Sequence, residues 1–433
     1  MNSLNRRNNF KNKRGKIMSK KMVFLLVCAV VIISLPYHLY AEGYALYNLG
    51  SDAGGRAEAV TSSVNDASAI WFNPARMVEV NKSNLVAGFD YMLIDLSIKS
   101  IADNKTYDMT DDNAFLPHAY YVYTMNEQLA LGLGINTPFG LNVEYEKTVP
   151  WRYTVTQNSL EIMNIMPAAA YRINDKLSVG GGLMIFLADA EAHKQYPWVA
   201  LGMGSVDGEV ALEGDGTQIG GMAGVSYMMN EYETLSLVYR SQMRIELDGD
   251  LSLSQIPAGL HTASSYSTGA TANAVIPDTV ILGLACSRIE KLLLEVNLNW
   301  RNWDDLTTMT VEADNTFNSL LLPKQTVTTH NWKNGGELVI GALHTINETW
   351  AMDYGLMYSK TPVRETYATA EIPDTSYYLV SAGPVYTRGD LKVQMPLAYL
   401  DNFKKDVNSS AGQADGEWDL SVFHIGLGVS WNF

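Results

Sequence analysis

The sequence has almost no means of forming disulfides, and beyond its N-terminus it has no apolar run long enough for a membrane helix. It has two cysteines in 433 residues, and Cys28 falls in an N-terminal segment that we expect to be removed. The mature chain then keeps only Cys286, so it has no intramolecular disulfide. Its seven histidines are scattered, and it has neither a G-x-S-x-G nor an H-E-x-x-H motif. We therefore expect a protein that is not an enzyme and that has no cofactor and no metal site.

The first 41 residues predict a signal peptide for export. They contain eight Lys or Arg residues and no acid, and the apolar run of residues 23–35 follows the charges. A cut after Ala41 fits the small residue that is wanted at the cleavage site. The run is shorter than the roughly twenty residues that cross a bilayer as a helix, which makes a single anchoring helix the weaker alternative. Translation could also begin at Met18 or Met22 without loss of the signal.

The mature chain is strongly acidic. Loss of the eight basic residues changes the formal net charge from −15 to −23, and such a chain is a poor partner for nucleic acid. An exported chain with 47% apolar residues is either a soluble secreted protein or a closed barrel. A barrel is possible because it satisfies every backbone polar group inside lipid, as a helix does.

Alternation of apolar and polar residues favours the barrel, because a membrane strand has one face in lipid and one in the lumen. In residues 292–301 the apolar row ends at Trp300, and the opposite row predicts a polar, water-facing lumen surface of Glu295, Asn297, Asn299 and Arg301. The last strand shows the same period to the C-terminus. Its apolar row is Phe423, Ile425, Leu427, Val429, Trp431 and Phe433.

Six short turns that bear Asn, Asp, Gly or Glu alternate with seven longer polar stretches, which predicts fourteen strands. The fold class is therefore an all-β, 14-stranded antiparallel transmembrane β-barrel in residues 85–433. Because the count is even, both ends of the barrel lie on the periplasmic side. The predicted strands are 85–99, 115–124, 129–144, 158–172, 177–192, 216–228, 233–251, 276–288, 291–312, 335–346, 349–359, 377–387, 391–402 and 418–433.

Residues 42–84 precede the first strand and do not alternate. They are rich in Gly, Ala and Ser and include Asn73-Pro74-Ala75. A barrel of fourteen strands has a lumen wide enough to need a filling or to remain a channel. We expect residues 43–80 to form an N-terminal hatch, or plug, inside the lumen.

Several motifs follow one another along the chain. Residues 50–57 contain Gly54, Gly55 and Arg56, and residues 65–75 end in Asn73, Pro74 and Ala75. Residues 134–141 contain Thr137, Pro138, Phe139 and Gly140, and residues 162–174, 277–279 and 300–306 come after them. In this order the motifs resemble the outer-membrane long-chain fatty acid and toluene transporter family, often called the FadL/TodX family. The first two look like the hatch of that family, residues 134–141 look like its kinked third strand, and the others fit as well.

The resemblance implies passive uptake of hydrophobic molecules through a hatch-plugged barrel, with lateral release into the bilayer at the kinked strand. Proline cannot donate a ladder hydrogen bond, so Pro138 fits a break in strand pairing, with Asn73-Pro74-Ala75 expected beneath the kink. The alternative is that Pro138 merely ends a strand at an external loop. Candidate partners for a fatty carboxylate are Arg152, Arg240, Arg244 and Arg301.

The expected partners are a hydrophobic ligand, outer-membrane lipid and lipopolysaccharide, and the barrel-assembly machinery, which would engage the strand that ends in Phe433. The acidic pair Asp111-Asp112 is interpreted as solvated loop charge. The cargo remains open between a long-chain fatty acid, a monoaromatic hydrocarbon and another lipid. A general polar-solute porin is the main rival function, because of the polar row at Glu295, and the hatch argues against it.

Overall fold

A computed structural model describes residues 43–47, 50–110, 113–317, 322–409 and 414–433. The predicted signal peptide and the Asp111-Asp112 pair lie outside the described residues. Within the described ranges, no helix is both long and apolar enough to cross a bilayer.

Fourteen wall strands form a single sheet, and five of them consist of two segments. Two further short strands in the loops, Thr106–Asp108 and Lys405–Val407, extend the sheet at β1 and β14. The wall strands are β1 (Asn84–Ser100), β2 (Asn113–Thr124), β3 (Leu129–Glu144), β4 (Gln157–Asn174), β5 (Leu177–Tyr196), β6 (Gly208–Met228), β7 (Glu233–Arg240 and Met243–Ser254), β8 (Tyr266–Ile276 and Thr279–Ile289), β9 (Leu292–Arg301 and Thr308–Ala313), β10 (Gln325–Thr329 and Gly335–Thr345), β11 (Trp350–Lys360), β12 (Tyr377–Arg388), β13 (Leu391–Gln394 and Leu397–Asp401) and β14 (Gly416–Asn432).

The sheet closes on itself because its first and last strands pair antiparallel along their whole length. The β1–β14 register runs from Asn84 opposite Asn432 to Ser100 opposite Gly416. The predicted all-β, fourteen-stranded antiparallel barrel is confirmed. The apolar row of β14 faces outward as predicted, and the ring of the C-terminal Phe433 stacks on Tyr121 of β2 with centroids 6.0 Å apart.

Three strands begin eight to ten residues earlier than the alternation predicts. The structure starts β6 at Gly208, β8 at Tyr266 and β10 at Gln325, where we expected residues 216, 276 and 335. The outer end of β6 carries acids on its outward face, such as Asp215, which lies opposite Asp189 and Asp248. The outer ends of β8 and β10 are rich in Ser and Thr. The ladder continues beyond the apolar band, where no lipid selects apolar side chains, so hydropathy alone does not detect it.

Residues 50–80 fill the barrel lumen and are almost entirely buried. They form the short helices α1 (Ser51–Gly54) and α2 (Ala69–Phe72) and the 3-10 helix Pro74–Glu79. This plug approaches the wall closely where the inner face carries glycine. An ideal Cβ at Gly180 of β5 would lie 2.5 Å from the Ala75 nitrogen and 2.6 Å from the Pro74 oxygen. Only a residue without a side chain allows this contact.

The polar inner row of β9 does not face water, which corrects the interpretation of that row as water-facing. The Glu295 carboxylate accepts a hydrogen bond from the Ser62 backbone nitrogen at 2.6 Å. The Asn297 amide donates to the Glu58 carbonyl and to the Thr61 hydroxyl, both at 3.0 Å. The plug thus takes the place of solvent as a hydrogen-bond partner of Glu295 and Asn297, and Glu337 of β10 bonds to Asn299 and Arg301.

Candidate functional site

The barrel wall is unpaired over the outer part of β2 and β3. These strands pair from Thr124 opposite Ala130 to Ala119 opposite Ile135. Beyond that point no ladder pair joins them among the described residues, but the wall is joined again at its outer end, where the Thr110 nitrogen donates to the Glu144 carbonyl at 2.8 Å. Above it, β3 stays paired with β4, but the register shifts between Asn136 and Phe139. Thr137 and Pro138 lie in this bulge. Residues 113–118 of β2 and 136–144 of β3 therefore border a gap in the wall.

An N-terminal strap, residues 43–47, takes the edge of β3 that β2 leaves free. Ala45 forms an antiparallel bridge with Phe139. The Leu46 nitrogen donates to the Pro138 carbonyl at 2.9 Å, and the Gly140 nitrogen donates to the Tyr44 carbonyl at 3.0 Å. The sequence assigned residues 43–47 to the plug without singling them out, yet they are the segment that contacts the kink.

The strap is anchored across the lumen by an aromatic cluster. The Tyr44 hydroxyl donates to the Val275 carbonyl of β8. The Tyr44 ring lies 4.9 Å from Trp303, on the inward 3-10 turn of β9, and 6.1 Å from Trp332. Both indoles are buried. The strap thus joins β8 and β9 on one side of the lumen to the β3 kink on the other.

A cavity of about 370 Å³ lies between the strap and the gap, and we call it the portal cavity. Residues from both sides of the gap line it, residues 113–116 of β2 and residues 137 and 140–143 of β3. At this level the outward side chains Leu93 and Phe115 are 46% and 58% exposed, as lipid-facing residues of the apolar band are. The cavity therefore meets the wall at the height of the outer leaflet. Its inner lining is largely apolar and includes Met92, Ile94, Leu96, Leu160, Leu400 and Val422.

One carboxyl group of the portal cavity is Asp374, in the loop between β11 and β12. The Thr361 hydroxyl donates to Asp374 Oδ2 at 2.7 Å. Burial raises the pKa of Asp374 to about 7, against the opposing effects of hydrogen bonds from Thr361 and from the Gly43 and Thr375 backbone. This group titrates near neutrality inside an apolar site. No pattern in the sequence pointed to Asp374.

A second cavity, of about 220 Å³, lies among the outer ends of β4–β10, and we call it the outer cavity. Apolar side chains such as Val210, Leu212 and Leu251 line it together with Lys194 and Glu371. Burial raises the pKa of the Glu371 carboxyl, and the nearby Lys194 opposes that shift. Ile372 lines both this cavity and the portal cavity, so the two are neighbours.

The four candidate arginines do not form one site. Arg240 and Arg301 line the same small cavity of about 20 Å³ beneath the strap, together with Trp71 and Pro138. The Arg240 guanidinium lies 3.7 Å from the Trp71 ring centroid and donates to the Trp71 carbonyl at 2.7 Å. Arg301 forms a buried ion pair with Glu337.

The other two arginines lie apart from this cavity. Arg244 is exposed on the outer face of β7 and reaches the Asp305 carbonyl at 3.4 Å. Arg152 lies in the loop between β3 and β4, where it donates to the Tyr153 hydroxyl at 2.9 Å.

The predicted hatch residues lie in the plug, where they contact the wall. Gly55 approaches Asp353 of β11 so closely that a Cβ would lie 2.7 Å from the Asp353 Cβ, and Gly54 precedes it at the end of α1. The Arg56 Nε is 3.5 Å from Asp353 Oδ1.

The Asn73 side chain accepts from the Ala75 nitrogen at 3.1 Å, which caps the 3-10 helix that starts at Pro74. Asn73 and Pro74 lie against Gly224 of β6, and Pro74 and Ala75 against Gly180 of β5. The sequence placed this motif beneath the kink, whereas in the structure the strap holds that position.

One group within the described ranges has metal-ligand spacing. Ligand atoms of Glu191, His193 and Glu213 lie within 4.8 Å of one another on the outer ends of β5 and β6. His193 Nε2 lies 2.7 Å from Glu191, and its Nδ1 lies 2.9 Å from Glu209. These contacts form an ion-pair network among the side chains themselves.

The chain matches known proteins along nearly its whole length. Residues 34–433 match the family described as "Outer membrane protein transport protein (OMPP1/FadL/TodX)". The chain is 24% identical over 446 residues to the long-chain fatty acid transport protein of Salmonella typhi, which covers 96% of this chain and 100% of that relative.

Solved structures share the fold. A Pseudomonas aeruginosa FadL homologue matches with a TM-score of 0.79 and 18% identity, over 90% of this chain and 100% of that chain. The Ralstonia pickettii toluene transporter TbuX matches with a TM-score of 0.67 and 16% identity, over 89% of this chain and 99% of that chain.

Proposed function

The chain belongs to the outer membrane protein transport protein (OMPP1/FadL/TodX) family, and we propose that it takes up long-chain fatty acids passively and releases them sideways between β2 and β3. The observation that carries this proposal is the portal cavity, which is apolar inside and is bordered by the parts of β2 and β3 that do not pair with each other. A ligand there has lipid on one side and the plugged lumen on the other.

The physical argument for lateral release is that an acyl chain gains about 0.8 kcal/mol for each CH₂ that leaves water. An aqueous channel offers none of this gain, whereas an apolar cavity that meets the bilayer retains it along the route. The plug blocks the straight path through the lumen, because residues 50–80 bond to the wall at β9 and lie against it at β5, β6 and β11.

The proposed route begins at the outer cavity, passes Ile372 into the portal cavity and leaves through the gap. Lys194 in the outer cavity offers a first cation for a fatty carboxylate. Of the four arginines, Arg240 and Arg301 are the best placed to attract the carboxylate further in, since both lie just beneath the strap. The roles of Thr137, Pro138, Phe139 and Gly140 are to keep the gap open.

Two parts of the interpretation stay predictions. One is removal of residues 1–41 as a signal peptide. The other is engagement of the barrel-assembly machinery by the final strand, which ends with an exposed Phe433.

The test compares uptake of radiolabelled oleate, toluene and a small sugar by cells that express the intact chain, a variant lacking residues 43–80, and Pro138→Ala. We expect saturable oleate uptake, sugar exclusion by the intact protein, and a several-fold loss of oleate uptake in Pro138→Ala, because a restored backbone donor favours a regular strand. Pro167→Ala on β4 is the control, since it also removes a proline from a wall strand, but at an exposed position on the outer face away from the gap.

The other results separate the alternatives. Saturable toluene uptake without oleate uptake would assign a monoaromatic cargo to the same route, which the likeness to solved toluene transporters makes the second candidate. Free passage of the sugar through the intact protein would replace the proposal with a porin. Unchanged oleate uptake in Pro138→Ala would exclude the kinked strand as the exit.

A further inference from the structure

We propose that Pro117 of β2 ends the β2–β3 ladder and so sets the lower edge of the lateral gap. Pro117 lies on the opposite strand from Pro138, which is on β3. The inference rests on the proposed lateral exit. It adds a second positioning residue on a strand that the sequence did not connect with the opening.

The hydrogen-bonding phase of the β2–β3 ladder directs the backbone of Pro117 toward β3. The Met125 nitrogen donates to the Leu129 carbonyl at 3.0 Å where the β2–β3 hairpin closes. In an antiparallel ladder, residues directly opposite alternate between hydrogen-bonded and non-hydrogen-bonded pairs. Counting by two from Met125 makes Ala119 and Ile135, the last observed pair, a hydrogen-bonded pair. The next hydrogen-bonded pair in this register would join Pro117 to Thr137.

Pro117 cannot complete that pair because it has no backbone N–H. The missing N–H affects strand pairing on one side of β2 only. Each strand residue directs its N–H and C=O to the same neighbour, so Pro117 faces β3 and occupies a non-hydrogen-bonded position toward β1. Accordingly, the β1–β2 register runs without interruption through Phe89 opposite Pro117. The residue therefore stops one ladder and leaves the other intact.

Pro138 does not account for this stop. Its carbonyl accepts from the Leu46 nitrogen, so Pro138, which lies within the β3–β4 register shift, faces the strap and not β4. The β2–β3 ladder already ends one position earlier, at Thr137. The two prolines thus act at different positions: Pro117 denies β3 a donor opposite Thr137, and Pro138 lies one residue further along β3, in the bulge and beside the strap.

Buried side chains hold the wall together just below the stop. The Asn136 amide donates to the Tyr120 hydroxyl at 3.0 Å and accepts from the Asn164 amide at 3.1 Å. These hydrogen bonds join β2, β3 and β4 where the backbone ladder of β2 and β3 ends. These side-chain hydrogen bonds consequently fix the lower edge of the gap, so that the missing pair at Thr137 does not open the β2–β3 pairs below it.

The test uses the full chain in detergent micelles and in cells. In Pro117→Ala we expect hydrogen exchange of the Thr137 amide, followed by NMR, to slow by roughly tenfold as the extra pair forms. Oleate uptake should fall several-fold, and further in the double variant Pro117→Ala/Pro138→Ala. Pro167→Ala is the matched control: it is equally lipid-facing, but β4 and β5 pair on both sides of it, at Ile165 and Ala168. It should change neither measurement.

The two readouts separate this inference from the proposed function. Unchanged Thr137 exchange in Pro117→Ala overturns the inference, even if Pro138→Ala lowers uptake and the lateral exit stands. Slower Thr137 exchange, with normal uptake in both single variants and in the double variant, overturns the lateral exit and the role of Pro117 with it.

Discussion

Gly180→Leu is expected to convert the plugged barrel into a leaky channel for small sugars. Gly180 lies on the inner face of β5, where even a Cβ would come within 2.6 Å of the Pro74 oxygen and the Ala75 nitrogen. These are backbone atoms of the 3-10 helix Pro74–Glu79, so no side-chain rotation relieves the clash. A leucine there must push the plug away from the wall or keep it from seating.

Liposome swelling with small sugars measures the result. Overpacking costs of about 1–3 kcal/mol shift the balance between seated and unseated plug by roughly tenfold or more, and swelling should rise accordingly. Gly221→Leu on β6 is the control, because the nearest atom to its Cβ is the Gly182 oxygen at 3.9 Å. Heat-modifiable mobility in gels checks that both barrels fold. A Gly180→Leu protein as tight as wild type would mean that the plug does not seal the lumen at this contact.

The membrane part of the barrel was predictable because lipid imposes a period of two on its strands. Residues 129–144 were predicted as a strand with the observed bounds of β3. The outer ends of β6, β8 and β10 were missed because they leave the apolar band, where backbone pairing continues without a hydropathy pattern. The filled lumen followed from the width of a fourteen-stranded barrel and from the non-alternating residues 42–84, although the sequence did not show which wall residue each plug residue meets.

The gap was only half predictable. A proline inside an apolar strand indicates a break in pairing, and Pro138 does lie in the β3 bulge. Which neighbour loses its partner depends on the register between strands, and a single sequence does not encode that directly. The role that we propose for Pro117 therefore became visible only from the observed pairs. The strap was missed for a similar reason, since Tyr44 and Leu46 act through partners more than ninety residues away in sequence.

Asp374 likewise could not be identified as a site residue from the sequence. It leads to a second prediction with a large effect, a pH dependence of oleate uptake. Its pKa of about 7 lies above the ordinary 3.8, because burial disfavours the charged form. At low pH the portal cavity holds a neutral carboxyl group, and as pH rises through 7 it acquires a negative charge that repels a fatty carboxylate. The stability that the neutral form contributes is likewise present at low pH and is lost as pH rises from 3.8 through 7.

We expect oleate uptake to fall several-fold from about pH 6 to about pH 8 in the wild-type protein, as the charge on Asp374 develops. Asp374→Asn should largely remove this dependence, and what remains reports the ionisation of oleate itself. Asp103→Asn, in the exposed loop after β1, should behave like wild type. Toluene has no charge, so its uptake should not change with pH in any variant. If wild type and Asp374→Asn gave the same oleate profile, the ligand would not pass close to Asp374, and the route through the portal cavity would have to bypass the loop between β11 and β12.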